Sequence, residues 1–97
     1  MIRLYDIRGF KRDLLFVVGG LGQPSGQEVL DELEASMSEE VQPARLYTNL
    51  NELAEEGLVL KTKEDGRTNR YELTEEGRRK LEERHEWVRE HLNPDSG

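Results

Sequence analysis

The chain has 97 residues, 36% of them charged and 34% hydrophobic, and its formal net charge is -7. A chain of this length buries about two-thirds of the surface that its unfolded form exposes, so we expect one small domain over residues 1–97. The lack of cysteine excludes disulfide bonds, thiol catalysis and cysteine–zinc sites. The longest apolar run, LLFVVGGLG, is too short to cross a membrane and no signal peptide is recognisable, which predicts a cytoplasmic protein.

The charged residues are unevenly distributed. Arginine outnumbers lysine ten to four, and acidic residues exceed both together. This balance is typical of halophile proteins, which stay soluble in concentrated salt through hydrated carboxylates; an ordinary acidic bacterial protein is the alternative. Residues 27–40 contain six acidic and no basic residues, whereas residues 58–71 contain four basic and two acidic ones. The negative net charge of the chain is therefore compatible with a locally positive surface.

The first half of the chain predicts two helices. A helix from about Gly9 to Val18 is indicated by apolar residues at three- and four-residue steps, and GGLGQPSG should end it. Ser25 and Glu28 form a capping-box pattern that starts a second helix. The buried face of that helix should consist of Val29, Leu30, Leu33 and Met37.

The second half predicts a third helix, a hairpin and a fourth helix. The third helix should run from Pro43 to about Glu56, with Gly57 as its C-terminal stop. Strands are expected over 58–63 and 68–73, joined by an Asp65-Gly66 turn. Thr74 should cap a last helix over 75–92, which Asn93-Pro94 ends.

This order of elements defines the expected fold class. Three helices followed by a hairpin form a winged helix-turn-helix, so we predict an α+β, mostly helical fold with an extra C-terminal dimerisation helix. The winged-helix core would span 9–74, the terminal helix 75–92 and a short tail 93–97.

The third helix has the pattern of a DNA-recognition helix. Its core face carries Leu46, Leu50 and Leu53, and its opposite face is polar and partly basic towards the N-terminus. An ordinary amphipathic helix with a solvated face is the alternative. If the helix enters a major groove, Arg45 could pair with guanine, Asn51 with adenine, and Thr48 with a thymine methyl or a phosphate, while Tyr47 reaches a phosphate.

The hairpin is a candidate DNA-backbone contact. Basic side chains at such a tip can straddle the sugar–phosphate backbone or enter a minor groove; a solvated edge strand protected by lysine is the alternative. Lys11 and Arg12 are further phosphate candidates at the start of the first helix. The predicted phosphate contacts of the hairpin are Lys61, Lys63, Arg67, Thr68 and Arg70.

The terminal helix is a candidate dimer interface. An outer helix of this kind can pair with a second copy of the chain, or pack on the first helix of its own chain. His85 and His91 lack a third convincing ligand, so no metal site is expected, and no catalytic constellation or cofactor motif indicates an enzyme. The expected interface residues are Leu81, His85, Trp87, Val88 and Leu92.

Three segments carry a family resemblance: FKRDLLFVVGGLGQPSGQEVLDELE, ARLYTNLNELAEEGLV and GRTNRYELTEEGRRKL. Together they resemble the PadR-like winged-helix transcription regulators, particularly small archaeal, halophile-type members, over roughly residues 9–92. The most specific residues are Leu46-Tyr47, Leu50, Leu53, Glu56-Gly57-Leu58-Val59 and Tyr71-x-Leu73-Thr74-x-x-Gly77.

The resemblance implies a homodimeric DNA-binding repressor. It implies that the third helix enters the major groove of double-stranded DNA, that Tyr47 and the wing arginines hold the backbone, and that the terminal helix contributes to dimerisation. The chain has Thr48 where the family commonly has a proline soon after the tyrosine. It also ends after one terminal helix, so we expect no small-molecule effector and expect Trp87 to pack rather than line a pocket.

These observations lead to one expected function and two alternatives. We expect a cytoplasmic, nucleoid-associated, sequence-specific transcription regulator that needs no cofactor. A winged-helix adaptor that binds an acidic partner protein is one alternative, and a non-specific chromatin-coating protein is the other.

Overall fold

The computed structural model describes residues 2–37 and 40–92, and the side chains of residues 9–36 and 40–92. Over those residues it contains α1 (Ile2–Leu21), α2 (Gly26–Met37), α3 (Pro43–Glu55), β1 (Val59–Lys63), β2 (Asn69–Leu73) and α4 (Glu75–Leu92). This order confirms the predicted, mostly helical winged helix-turn-helix. None of the described helices has both the length and the apolar character that crossing a membrane requires.

One core lies where the first three helices meet the hairpin. Leu46, Leu50 and Leu53 are buried on the inner face of α3, as their spacing predicts. Tyr71 of β2 is also fully buried in this cluster. Each fully buried side chain of this size contributes roughly 1.5–3 kcal/mol, so these residues hold α3 and the hairpin on a common support. The other core side chains come mainly from α1 and α2: Phe10, Leu14, Leu15, Val18, Val29, Leu30 and Leu33.

Helix α1 is longer than predicted at both ends. It begins at Ile2 and continues through Gly19 and Gly20 to Leu21, whereas the sequence pattern indicated about Gly9 to Val18. Glycine weakens a helix by about 1 kcal/mol relative to alanine, but tertiary packing overrides such a preference. Gly19 lies directly against the side chains of Leu73 and Leu81, and the helix ends only at Gly22, whose φ is 90°.

The predicted caps fix the ends of α2 and α3. The backbone N–H of Glu28 donates to Ser25 Oγ at 3.2 Å, and the N–H of Ser25 donates to Glu28 Oε1 at 2.8 Å. This reciprocal pair is the capping box that the sequence predicted. Gly57, with φ 81°, ends α3 by donating its N–H to the carbonyl of Ala54 at 3.1 Å. Both ends of the helix-turn-helix are therefore encoded locally.

The hairpin is joined to the segment that precedes α2. Its strands pair antiparallel from Val59 opposite Leu73 to Lys63 opposite Asn69. On its other edge, β2 donates the N–H of Tyr71 to the carbonyl of Pro24 at 2.9 Å. The wing is consequently fixed by backbone hydrogen bonds as well as by its buried tyrosine.

Helix α4 begins with its predicted cap and packs on its own chain. Thr74 Oγ1 accepts the N–H of Gly77 at 3.0 Å and donates to the carbonyl of Gly57 at 2.6 Å. Leu81, in the middle of α4, belongs to the core of the same chain. Leu81 therefore holds α4 on the winged core of its own chain. The sequence pattern had instead suggested Leu81 as a dimer-interface residue.

Candidate nucleic-acid interface

The exposed face of α3 carries the predicted base-contacting residues together. Arg45, Thr48 and Asn51 are all exposed, and Tyr47 lies on the flank of the same face. Pro43 starts the helix without a side-chain cap at Gln42, so the N-terminal turn is free of any capping side chain. This face has the polar, weakly basic character that a major groove accepts.

Arg45 rests on an aromatic ring of α1. Its guanidinium carbon lies 3.9 Å above the centroid of the Phe10 ring. A cation–π contact at an exposed site is worth about 0.5–1 kcal/mol, and this is lost when the side chain swings outwards. Arg45 therefore has a defined position against α1.

A polar cleft brings α3, the start of α2 and the wing together. It has a volume of about 340 Å³, and three of the predicted phosphate contacts, Tyr47, Arg67 and Thr68, line it. The sequence assigns these residues to different elements, and only the fold brings them together. The cleft is completed by Ser25, Gly26, Gln27, Asn69 and Tyr71.

Three lining residues of this cleft were missed from the sequence: Gly26, Gln27 and Asn69. The capping box at Ser25 marks where α2 starts, so it could have pointed to Gly26 and Gln27. Asn69 has no such signal, although its Oδ1 atom is buried without a hydrogen-bond partner among the described residues. Buried polar atoms normally have partners, which marks the Asn69 side of the cleft as polar and unsatisfied.

Gly26 determines where Tyr47 lies. The Tyr47 ring packs so closely on Gly26 that any side chain at this position would overlap it. Burial raises the pKa of Tyr71, and the nearby Tyr47 raises it further. The two tyrosines thus meet at the inner wall of the cleft, with Tyr47 half-exposed to solvent.

The wing lysines lie on the side of the hairpin that faces α3. The strand register puts Lys61 opposite Tyr71 and Lys63 opposite Asn69, so both lysines share the face of the buried tyrosine. Lys61 Nζ donates to Asn51 Oδ1 at 3.3 Å. The predicted base-contacting helix and the predicted backbone-contacting strand therefore touch each other directly.

Arg70 is placed differently from the other wing cations. Its guanidinium contacts Glu28 Oε1 at 2.9 Å and Glu64 Oε1 at 3.1 Å. The sequence suggested Arg70 as a phosphate contact, but these carboxylates already occupy its donors. By contrast, Arg67 and Lys63 are exposed at the tip of the wing.

Lys11 pairs with two carboxylates at the C-terminal end of α3. Its Nζ atom lies 2.9 Å from Glu52 Oε1 and 3.0 Å from Glu56 Oε2. The hydrogen bond to Glu52 is the main cause of a raised Lys11 pKa, and that to Glu56 adds to it. Lys11 was a candidate phosphate contact. In the structure its side chain instead links α1 to the C-terminal end of α3.

Two carboxylates of the interface have lowered pKa values. The backbone N–H of Ser25 is the main cause for Glu28, and the charge of Arg70 lowers that pKa further. The N–H groups of Arg67 and Thr68 donate to Asp65 Oδ1 at 2.8 Å and 2.9 Å, which lowers the pKa of Asp65. Each carboxylate therefore accepts backbone N–H groups and stabilises a local turn: Glu28 the start of α2, and Asp65 the turn of the wing.

Acidification should weaken the fold through these two carboxylates. Because each pKa is lower in the folded chain, the stability that each provides is complete above the ordinary carboxyl pKa and is lost as the pH falls through the lowered one. The free energy of unfolding should fall less steeply on acidification in Glu28→Gln/Asp65→Asn than in the wild type. Urea unfolding from neutral to acidic pH measures this, and identical profiles would contradict the two lowered pKa values.

A second candidate surface lies between α1 and α4. Phe16, which is 42% exposed, and His85 line a groove of about 500 Å³. Val88 is half-buried on the same stripe of α4, and Leu92 is 73% exposed near its end. Three of the five predicted interface residues therefore remain on the α4 stripe, and Leu81 forms its floor.

Trp87 lies on another side of α4. Its ring stacks on His91 with 4.0 Å between ring centroids, and the Arg84 guanidinium carbon lies 4.4 Å from the Trp87 ring centroid. The ring thus packs along its own helix and does not line the groove. Within residues 2–37 and 40–92, no three histidine or carboxylate side chains are grouped as a metal ion would require.

Comparison with known proteins places this fold in a family. The Transcriptional regulator PadR-like family matches residues 14–83. No curated protein matches the chain significantly. RosR of H. salinarum, in crystals grown from NaBr, is 39% identical with a TM-score of 0.80, covering 84% of this chain and 74% of that one.

Two further structures extend the comparison. The complex structure of hsRosR-S1 is 38% identical with a TM-score of 0.85, covering 90% of this chain and 77% of that one. Bacillus subtilis PadR in complex with operator DNA is 22% identical with a TM-score of 0.65, covering 81% and 46% respectively, and shows the likeness of fold alone. The family match spans most of the chain and the RosR likeness spans most of both proteins. The chain therefore belongs to the PadR-like family of transcriptional regulators.

Proposed function

We propose that this protein is a sequence-specific DNA-binding transcription regulator that acts as a homodimeric repressor. In this proposal α3 enters the major groove and the wing holds the backbone or enters the minor groove. One observation carries it: Tyr47 of α3 lines the same polar cleft as Arg67 and Thr68 of the wing, beside the exposed face of α3. A helix and a hairpin that meet in this way can contact the same DNA strand from two sides.

The exposed side chains of α3 are proposed to identify bases. Arg45 can offer a bidentate pair to guanine, and Asn51 can offer its amide to adenine. Thr48 can contact a thymine methyl or a phosphate. In the free protein Asn51 Oδ1 accepts from Lys61 Nζ, so this bond would be exchanged when the amide pairs with adenine, which leaves the Lys61 amine for a phosphate.

The phosphate contacts are proposed to surround those bases. Tyr47, Arg67 and Thr68 would hold one phosphate region from the cleft, and Lys61 and Lys63 would hold the backbone from the α3 side of the hairpin. These contacts add affinity without sequence preference.

The negative net charge is compatible with this proposal because charges of opposite sign are separated or paired. Of the exposed acidic residues of α2, Glu28 is paired with Arg70, and Asp31 and Glu32 lie further along the helix than the first turn, which lines the cleft. Lys11 pairs with Glu52 of α3 and with Glu56 at its C-cap, and its single positive charge offsets one of these two negative charges. Arg67, which is exposed and lines the cleft, then contributes positive charge there.

Dimerisation is proposed through the groove between α1 and α4. Phe16 and His85 line this groove, and Val88 and Leu92 follow on the same stripe of α4; one protomer leaves these side chains exposed or half-buried. A two-fold dimer would present two copies of α3 to a pseudo-palindromic operator, and bound protein would occlude the promoter.

The relatives support the proposed setting. RosR comes from H. salinarum and PadR of B. subtilis is described with operator DNA. The likeness to RosR, together with the acidic composition, supports an archaeal, halophilic setting, in which we propose a cytoplasmic, nucleoid-associated regulator.

Replacing Arg45 with alanine should relax sequence preference at one base pair of each half-site. The expected loss of affinity for the preferred operator is about 1–3 kcal/mol. It should fall in the lower part of that range, since bound Arg45 gives up its contact with Phe10. Mobility-shift titrations against an operator selected from genomic fragments, with single-base changes, measure both quantities.

The matched control for Arg45 is Arg67→Ala, in the wing. It should weaken binding to all operator variants about equally, because a phosphate contact carries no base information. Full discrimination by Arg45→Ala would remove Arg45 from the base-contacting set. A wild type without any sequence-dependent shift would indicate an adaptor, and equal affinity for every fragment would indicate a chromatin-coating protein.

A further inference from the structure

Arg70 uses its guanidinium to join three parts of the chain. Nη1 donates to Glu28 Oε1 at 2.9 Å and to the carbonyl of Gln23 at 3.1 Å. Nε and Nη2 donate to Glu64 Oε1 at 3.2 Å and 3.1 Å. All three nitrogens of the group are therefore engaged by the turn before α2, the first turn of α2 and the end of β1.

These partners leave little of Arg70 for a DNA phosphate. Its side chain is 33% exposed, while those of Glu28 and Glu64 are 57% and 50% exposed. A phosphate would have to displace two carboxylates that already neutralise the charge. Arg67, in the same hairpin, is exposed and has no side-chain hydrogen bond or ion pair with the described residues. The two arginines therefore differ in role despite their proximity in sequence.

The contacts of Arg70 coincide with the backbone junction of the wing. Residue 70 forms an antiparallel bridge with Ser25, and the adjacent N–H of Tyr71 donates to the carbonyl of Pro24 at 2.9 Å. Glu28 Oε1 accepts from both Arg70 and the N–H of Ser25. One carboxylate oxygen thus joins the cap of α2 to the wing.

The first turn of α2 is also where the recognition helix rests. Tyr47 of α3 packs on Gly26, two residues before Glu28. The wing and α3 consequently contact the same helical turn, one through Arg70 and the other through Tyr47. Fixing Arg70 to that turn therefore adds to the direct contacts, such as that of Lys61 with Asn51, which set the distance between the wing and α3.

We infer that Arg70 is a positioning residue that sets the wing relative to α3 through Glu28, Glu64 and Gln23, and is not a phosphate ligand. The effect on DNA rests on the proposed function; the anchoring of the wing does not. The planar guanidinium group is essential to this role because its nitrogens donate hydrogen bonds to several acceptors at once. Lysine has the same charge but lacks the planar fork that matches these acceptors.

The test compares Lys and Gln substitutions at positions 70 and 67. Amide hydrogen exchange of the Tyr71 N–H, measured by NMR without DNA, reports local opening of the wing junction. We expect Arg70→Lys and Arg70→Gln each to speed this exchange by about tenfold relative to the core amides of Leu50 and Leu53, since charge-assisted hydrogen bonds are lost. The same substitutions at Arg67 should leave Tyr71 exchange unchanged.

Operator titrations on the same variants give the second readout. Arg70→Lys and Arg70→Gln should lose affinity to a similar extent, about tenfold. At position 67, lysine should retain most of the affinity that glutamine loses, because a phosphate contact needs mainly the charge.

The inference is overturned if Arg70→Lys keeps wild-type affinity while Arg70→Gln loses it, or if Tyr71 exchange is unchanged in both variants. A wild type that binds no DNA sequence-specifically overturns the proposed function instead. In that case the exchange rates alone decide whether Arg70 anchors the wing.

Discussion

Replacing Gly77 with alanine should destabilise the protein by about 3 kcal/mol. Gly77 is buried in the first turn of α4, and a Cβ there would overlap the carbonyl oxygen of Leu58. That carbonyl also accepts the N–H of Thr74 at 3.1 Å, so the backbone cannot move away without breaking the start of α4. Urea unfolding at constant protein concentration, followed by circular dichroism, measures the loss.

Gly9→Ala is the matched control for Gly77. Gly9 is also helical, and among the described side chains a Cβ there would meet the end of the flexible Arg12 side chain alone, at 3.6 Å. Alanine should therefore stabilise α1 by up to about 1 kcal/mol through its helix propensity. Equal stability of Gly77→Ala and wild type would show that Gly77 of α4 is not in close contact with the Leu58 carbonyl at the base of the hairpin.

Replacing Phe16 with glutamate should separate the proposed dimer into monomers. The substitution puts a carboxylate into the groove between α1 and α4, where dimerisation would desolvate it without a partner. Operator affinity should fall by about 100-fold or more, since each protomer would then bind a half-site alone. Light scattering gives the oligomeric state, and mobility-shift titration gives the affinity.

Ala35→Glu controls for the added charge. Ala35 is exposed on α2, so the same negative charge is introduced outside the groove. This variant should remain dimeric, as should Trp87→Ala, because Trp87 packs along its own helix. A dimeric Phe16→Glu protein would place the interface elsewhere, and a monomeric Trp87→Ala protein would move it to the Trp87 side of α4.

The bounds and buried face of α3 could be predicted well because the information that encodes them is local. Leu46, Leu50 and Leu53 define the buried face by spacing alone, and Gly57 ends the helix through its positive φ. The Ser25–Glu28 cap is likewise encoded within four residues. Such patterns specify which side chains are exposed on an element before its neighbours are known.

The ion pairs of the interface could not be predicted because their partners are distant in sequence. Glu28 is 42 residues from Arg70, and Glu56 is 45 residues from Lys11. Sequence pattern treats each basic residue as available, whereas the fold pairs Lys11 and Arg70 and leaves Arg67 exposed. The stripe on α4 shows a similar limit: its spacing predicts an apolar face but does not distinguish Leu81, which packs on its own chain, from His85 in the open groove.

The junction between Pro24, Glu28 and the wing also defines what can be exchanged between related proteins. A hairpin spanning residues 58–73, grafted alone into another winged helix, would leave the N–H of Tyr71 without its acceptor and Arg70 without Glu28. The smallest transferable unit is therefore discontinuous and must include residues 23–28. A chimera that carries both segments should keep its wing geometry, whereas one that carries the hairpin alone should not.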